Sequence, residues 1–138
     1  MKKRTIVVTV IILLTAAAIL AFAMSCRAAP ASHLAVKPEI RFSSEYFNPD
    51  EERLTIYLPT VDMPQVLSWR VEILEPYPSY ILFHDWVGRG QPPTHIVWDG
   101  INYGGECVHS ASDYPIVYYT SDIFGNIKTI ESKIPVYY

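Results

Sequence analysis

Metal-binding and catalytic spacings are missing from this sequence. It contains no His-Glu-x-x-His, no Cys-x-x-Cys and no His-x-His, the patterns by which short segments hold zinc. His84, Asp85, His95, Asp99 and His109 are zinc-capable residue types, and His84 and His95 could approach one another across strands. Histidines on neighbouring strands are nevertheless most often surface residues. Asp50-Glu51-Glu52 offers oxygen donors without the alternate spacing that wraps a calcium ion. It reads as a solvated charge run in a turn. There is no Gly-x-Ser-x-Gly elbow and no glycine-rich phosphate loop. Ser110 and Ser112 lie beside His109 and Asp113, but a catalytic triad is assembled by geometry and not by adjacency. The sequence points away from an enzyme and implies no cofactor. A basic surplus is missing too, with 11 Lys and Arg against 14 Asp and Glu. That balance argues against a nucleic-acid partner, whose phosphates demand a cationic footprint.

Hydrophobic residues are plentiful at 50% and aromatics make up 13%, enough for one core in a chain of 138 residues. Part of that hydrophobicity is one block. Met1-Lys2-Lys3-Arg4 precedes an apolar run from Ile6 to Met24, broken only by Thr9 and Thr15. A basic start ahead of such a run marks an export signal. The run is long for a signal peptide and barely long enough to span a bilayer, which takes about 20 residues. Its end, Ala23-Met24-Ser25-Cys26, resembles a bacterial lipobox, although Ala23 stands where such signals usually carry Leu. The resemblance implies cleavage before Cys26 and a lipid on its thiol. An uncleaved anchor and plain secretion are the other readings of the segment. In each the Lys/Arg cluster stays cytoplasmic and the remainder is exported. Loss of Lys2, Lys3 and Arg4 takes the formal net charge from −3 to −6. Cys26 and Cys107 could form a disulfide in an oxidising compartment. If Cys26 carries lipid, Cys107 is left unpaired and reads as a small buried hydrophobe.

The chain divides into residues 1–25 as signal, 26–37 as tether and 38–138 as a domain. Arg27 to Lys37 is rich in Ala and Pro without periodicity, and extended it would reach roughly 35 Å. Beyond it no 3.6-residue period occurs, and two-residue alternation dominates. Pro38–Ser43 reads as a short strand, Arg53–Leu58 as a second, and Leu67–Glu75 as the strongest. In that strand Trp69, Val71 and Ile73 share one face. Tyr80–Trp86 is another strand, and Val87–Pro93 reads as loop by composition. Thr94–Asp99 and Asp113–Ser121 flank the Gly104-Gly105 turn, and Ile127–Val136 ends the domain with Pro135 on an edge. About seven short strands with frequent turns predict an antiparallel β-sandwich.

Tyr46-Phe47-Asn48-Pro49-Asp50, Leu54-Thr55-Ile56 and Ser68-Trp69-Arg70-Val71-Glu72-Ile73 resemble a known module. So do Gly88 to Pro93, Ile96-Val97-Trp98-Asp99-Gly100, Gly105-Glu106, Ala111 to Tyr114, and Asp122 with Gly125-Asn126. Together they are similar to the FlgD-type Ig-like domain found in exported proteins, including spirochaete envelope proteins. The resemblance covers nearly all of residues 38–138 and implies a seven-stranded sandwich that spaces, displays or assembles without catalysis. Two departures stand out. The loop after Pro49 is cut to Asp50-Glu51-Glu52, and the residue after Trp98-Asp99-Gly100, usually charged, is Ile101, an apolar side chain at an expected loop tip.

Trp69, Trp98 and Tyr114 are the expected core markers. Tyr114 is a candidate tyrosine corner, its hydroxyl tied to nearby backbone. Asp99, Gly100, Gly105, Asp122, Gly125 and Asn126 are expected to shape loops, Asp99 by accepting bonds from its own loop's amides. Tyr77, Tyr80, Tyr103, Tyr118, Tyr119, Tyr137, Tyr138 and Trp86 exceed what one core can absorb, so an interaction face is expected. The functional expectation is a non-catalytic lipoprotein of the cell envelope, facing the periplasm or the exterior. It is held to the membrane through Cys26 and binds an envelope protein partner by loops or sheet edges. The alternative is a small module that binds a metal ion or a glycan.

Overall fold

A computed structural model describes residues 37–63 and 65–138. Cys26, the hydrophobic segment and the tether up to Val36 lie outside the described residues. Lys37–Tyr138 forms one compact unit. It is all-β, with no helix among the described residues.

The strands are β1 (Arg41–Phe42), β2 (Leu54–Tyr57), β3 (Val66–Leu74), β4 (Leu82–Arg89), β5 (His95–Trp98), β6 (Ser112–Asp122) and β7 (Ile127–Val136). They make two antiparallel sheets, ordered β1-β2-β5 and β4-β3-β6-β7. The alternation that predicts each strand also says what it buries. Leu54 and Ile56 of β2, Val71 and Ile73 of β3, Ile96 and Trp98 of β5, and Tyr114, Ile116 and Tyr118 of β6 all turn into one core. Trp98 links the sheets there, with ring centroids 6.0 Å from Phe83 and 5.5 Å from Phe47. Strand direction alternates, so one end of the unit gathers residues 43–53, 75–81, 99–111 and the C-terminus. Lys37 and the 58–63, 90–94 and 123–126 segments lie at the other.

Several expectations need correction. Of the first predicted strand only Arg41–Phe42 form ladder pairs, with Tyr57 and Ile56, and Ser43 N–H adds a bond to Thr55 O. The stretch read as loop from Val87 instead continues β4 to Arg89, with Gly88 paired across from Trp69. A Cβ at Gly88 would stand 2.4 Å from Cε2 of the Trp69 indole. The glycine is there to let the ring lie over the backbone, so a residue that signals a turn in sequence serves packing instead. Trp69 is itself half-buried against the core and not enclosed by it. Cys107 is exposed and not buried, because alternation at this point sends the neighbouring Val108 inward.

Candidate interaction surface

The end that collects the long loops is built from local hydrogen bonds. After β5, Trp98 Nε1 donates to Ile101 O (3.1 Å) and Asp99 Oδ1 accepts from Ile101 N–H (3.2 Å). Gly100 has φ +83°, and a Cβ there would meet the Phe47 ring at 2.9 Å. Both the conformation and the space therefore require glycine. Ile101 bridges to Cys107 and is half-buried, so the apolar residue expected at the loop tip lies at its base. The tip is Tyr103-Gly104-Gly105, with Gly105 at φ +83°. Asn102 holds the tip together. Its Oδ1 accepts from the amides of Gly104 and Glu106, each at 2.9 Å, and its Nδ2 donates to Glu106 Oε2 at 2.8 Å. Sequence reasoning passed over Asn102, although an Asn two residues before a glycine pair carries the same Asx signal as Asp99.

Tyr114, at the start of β6, is fully buried, and its hydroxyl accepts from His109 N–H at 2.8 Å. Burial pushes its phenol upward, and the bond from His109 partly offsets this. The remaining predicted loop residues sit at the opposite end, in the β6–β7 turn. There Asp122 Oδ1 accepts from Phe124 N–H (2.8 Å) and Asn126 N–H (2.9 Å), and Oδ2 accepts from Asn126 Nδ2 (2.7 Å). Gly125, at φ +84°, closes that turn. The Asn126 side chain, seconded by the turn amides, holds the Asp122 carboxyl below the usual carboxylate range.

Tyr103 reaches from its loop across strand β4. Its ring stacks on His84 with centroids 4.5 Å apart, and its hydroxyl lies 2.6 Å from Asp85 O and 2.9 Å from Asp85 Oδ1. Trp86 also meets His84 edge-on, at 4.4 Å. Asp85 Oδ2 is 3.0 Å from Arg70 Nη2. Arg70 Nε is 2.9 Å from Glu72 Oε1 but off its N–H direction. Burial lowers the His84 imidazole below its ordinary range, opposed by the charges of Asp99 and Asp85. Asp85 thus ties a loop and a cation to an edge strand. His84 and His95 belong to different sheets, and no three His, Cys, Asp or Glu among the described residues converge as metal ligands.

The aromatic surplus separates by position. Tyr118 belongs to the core and Tyr119 is half-buried, so neither contributes to an exposed face. Of the seven exposed tyrosines, Tyr46, Tyr77, Tyr80, Tyr103, Tyr137 and Tyr138 are all at the loop-rich end, and only Tyr57 is not. Tyr77 is 81% exposed and Tyr103 73%. The rings pair edge-on, Tyr77 with Tyr80 at 6.1 Å and Tyr46 with Tyr137 at 6.4 Å. Hydrogen bonds to backbone tie the C-terminal tyrosines to the Phe47 and Val108–Ser110 segments. Tyr137 N–H donates to Phe47 O, Ser110 Oγ donates to Tyr138 O, and Tyr138 Oη donates to Val108 O. Between the Tyr77–Tyr80 turn and β6 lies an open groove of about 540 Å³, flanked by the Asp113–Lys133 ion pair at 2.6 Å. Comparison with known proteins finds no matching family model, no similar curated protein and no similar solved structure.

Proposed function

We propose that this chain is an exported lipoprotein, lipid-bound at Cys26, whose Ig-like β-sandwich of the FlgD type works without catalysis as an envelope accessory or adaptor. The observation that carries the reading is the gathering of six exposed tyrosines at one end, with Lys37 at the other. Tyrosine gives large contact area at little entropic cost, and a cluster of it is what a protein partner uses. A photo-crosslinking residue placed at Tyr77 or Tyr137 in the native envelope is expected to give a discrete protein adduct, and one at the outward Val97 none. Adducts absent at both tyrosines, or equal at Val97, overturn the adaptor reading. Labelled palmitate should enter the wild type and vanish in Cys26→Ala; label that survives the substitution ends the lipid claim.

A second reading, glycan binding, is favoured by the groove beside Tyr77 and Tyr80, where rings stand next to a charged pair. Quenching of tyrosine fluorescence by envelope glycans, lost in Tyr77→Ala, would replace the protein partner with a sugar.

A further inference from the structure

Residues Ile127 to Lys133 of β7 leave one side of their backbone uncovered among the described residues. The N–H and C=O of one residue leave a strand on the same side, and successive residues alternate. Pro135 C=O and Tyr137 N–H meet Phe47, whereas Val136 C=O accepts from Ala111 on the β6 side. Odd-numbered positions therefore face outward. Thr129, Glu131 and Lys133 direct both backbone groups away from β6 along an unbroken register. The other sheet margins are less open. β1 and β5 are two and four residues long, and on β4 Tyr103 already engages the Asp85 carbonyl. A groove of about 760 Å³ runs beside β7, with Lys37, Pro38 and Glu39 on one wall and Thr129, Ile130 and Glu131 on the other.

We propose that this margin accepts an extended segment of another protein, antiparallel to β7, with a cation across from Glu131, an apolar side chain opposite Ile130 and a carboxylate that shares Lys133 with Asp113, its partner at 2.6 Å. The backbone groups supply affinity and the alternating side chains supply choice, as in strand addition generally. Glu131 and Lys133 share the outer face of β7, and opposite charges across a strand pair are favourable where like charges are not. A second copy of this chain fits poorly. The two-fold register that sets Glu131 against Lys133 also sets Thr129 of the copy against Pro135, where Phe47 already occupies the backbone. The inference shares Lys133 with the groove beside Tyr77 and Tyr80 but otherwise uses a separate surface, and it stands without the lipid anchor.

Amide exchange in the full-length chain tests it. Thr129, Glu131 and Lys133 are expected to exchange faster than Ile130 and Ser132. They should slow roughly tenfold on adding a capped Glu-Val-Lys-Val-Thr-Val peptide at millimolar concentration, and less with the charge-swapped Lys-Val-Glu-Val-Thr-Val. Glu131→Pro removes only an outward N–H, as Pro135 does naturally, so it should fold with an unchanged Tm yet abolish the slowing. Ser132→Pro, whose amide faces β6, should lower Tm. No slowing with the peptide overturns the inference. So does slow exchange in the free chain: if it depends on protein concentration, a second copy is the occupant, and if it does not, the chain covers its own edge.

Discussion

Tyr114 and Tyr118 both turn inward on β6, and their hydroxyls differ in what they touch. Tyr114 accepts from His109 N–H, while Tyr118 Oη has no partner among the described residues. Removing an acceptor strands its donor, whereas removing an unpartnered hydroxyl strands nothing. Tyr114→Phe should therefore cost about 1–3 kcal/mol in urea denaturation. Tyr118→Phe should be neutral or stabilising by up to about 1 kcal/mol. Burial pushes the Tyr118 phenol up to about 12. A raised value in the fold means the contribution is full below about pH 10 and is lost as pH rises toward the folded value. Wild-type stability should accordingly fall more steeply than that of Tyr118→Phe above about pH 10. Which of the two inward tyrosines finds a partner depends on a loop that packs back from the preceding connection.

The β6–β7 turn is an element whose sequence and structure agree closely because every bond in it is local. Asp122, Gly125 and Asn126 meet within five residues, so Asp-x-x-Gly-Asn states the geometry almost completely. The Asp122 carboxyl is held low by Asn126 and the turn amides. A depressed value means its contribution is present above about pH 3.9 and is lost as pH falls through the folded value. Thermal melts should show Asp122→Ala below wild type at neutral pH, with the gap closing in acid. A gap independent of pH would assign the effect to the turn's packing instead. The loop after β5 was less legible. Asp99 and Gly100 act within their own turn, but Tyr103 acts on β4, eighteen residues back in the chain, and no local signal announces that reach. Gly88 misleads in sequence for the same reason, since its cause is the indole of Trp69 on the neighbouring strand.

At the scale of the molecule, two sheets close over one aromatic cluster centred on Trp98, which is 1% exposed and touches Phe47, Phe83 and Tyr114. Trp98→Ala should lower stability by about 3–5 kcal/mol in chemical denaturation, because the cavity cannot be refilled from either sheet without moving both. A cost near that of a surface substitution would mean the sheets do not share a core. By itself the sequence determined the all-β class, about seven strands, the inward Val71 and Ile73 of the strongest strand and the self-contained turns. Two-residue alternation and short-range hydrogen bonds are written in consecutive residues. Only the tertiary structure decided that six distant tyrosines share one end, that Cys107 faces out, and that β7 keeps a side open among the described residues while Tyr103 bonds to the Asp85 carbonyl on β4. Those are contacts between segments far apart in the chain, fixed by which strands pair and in what register.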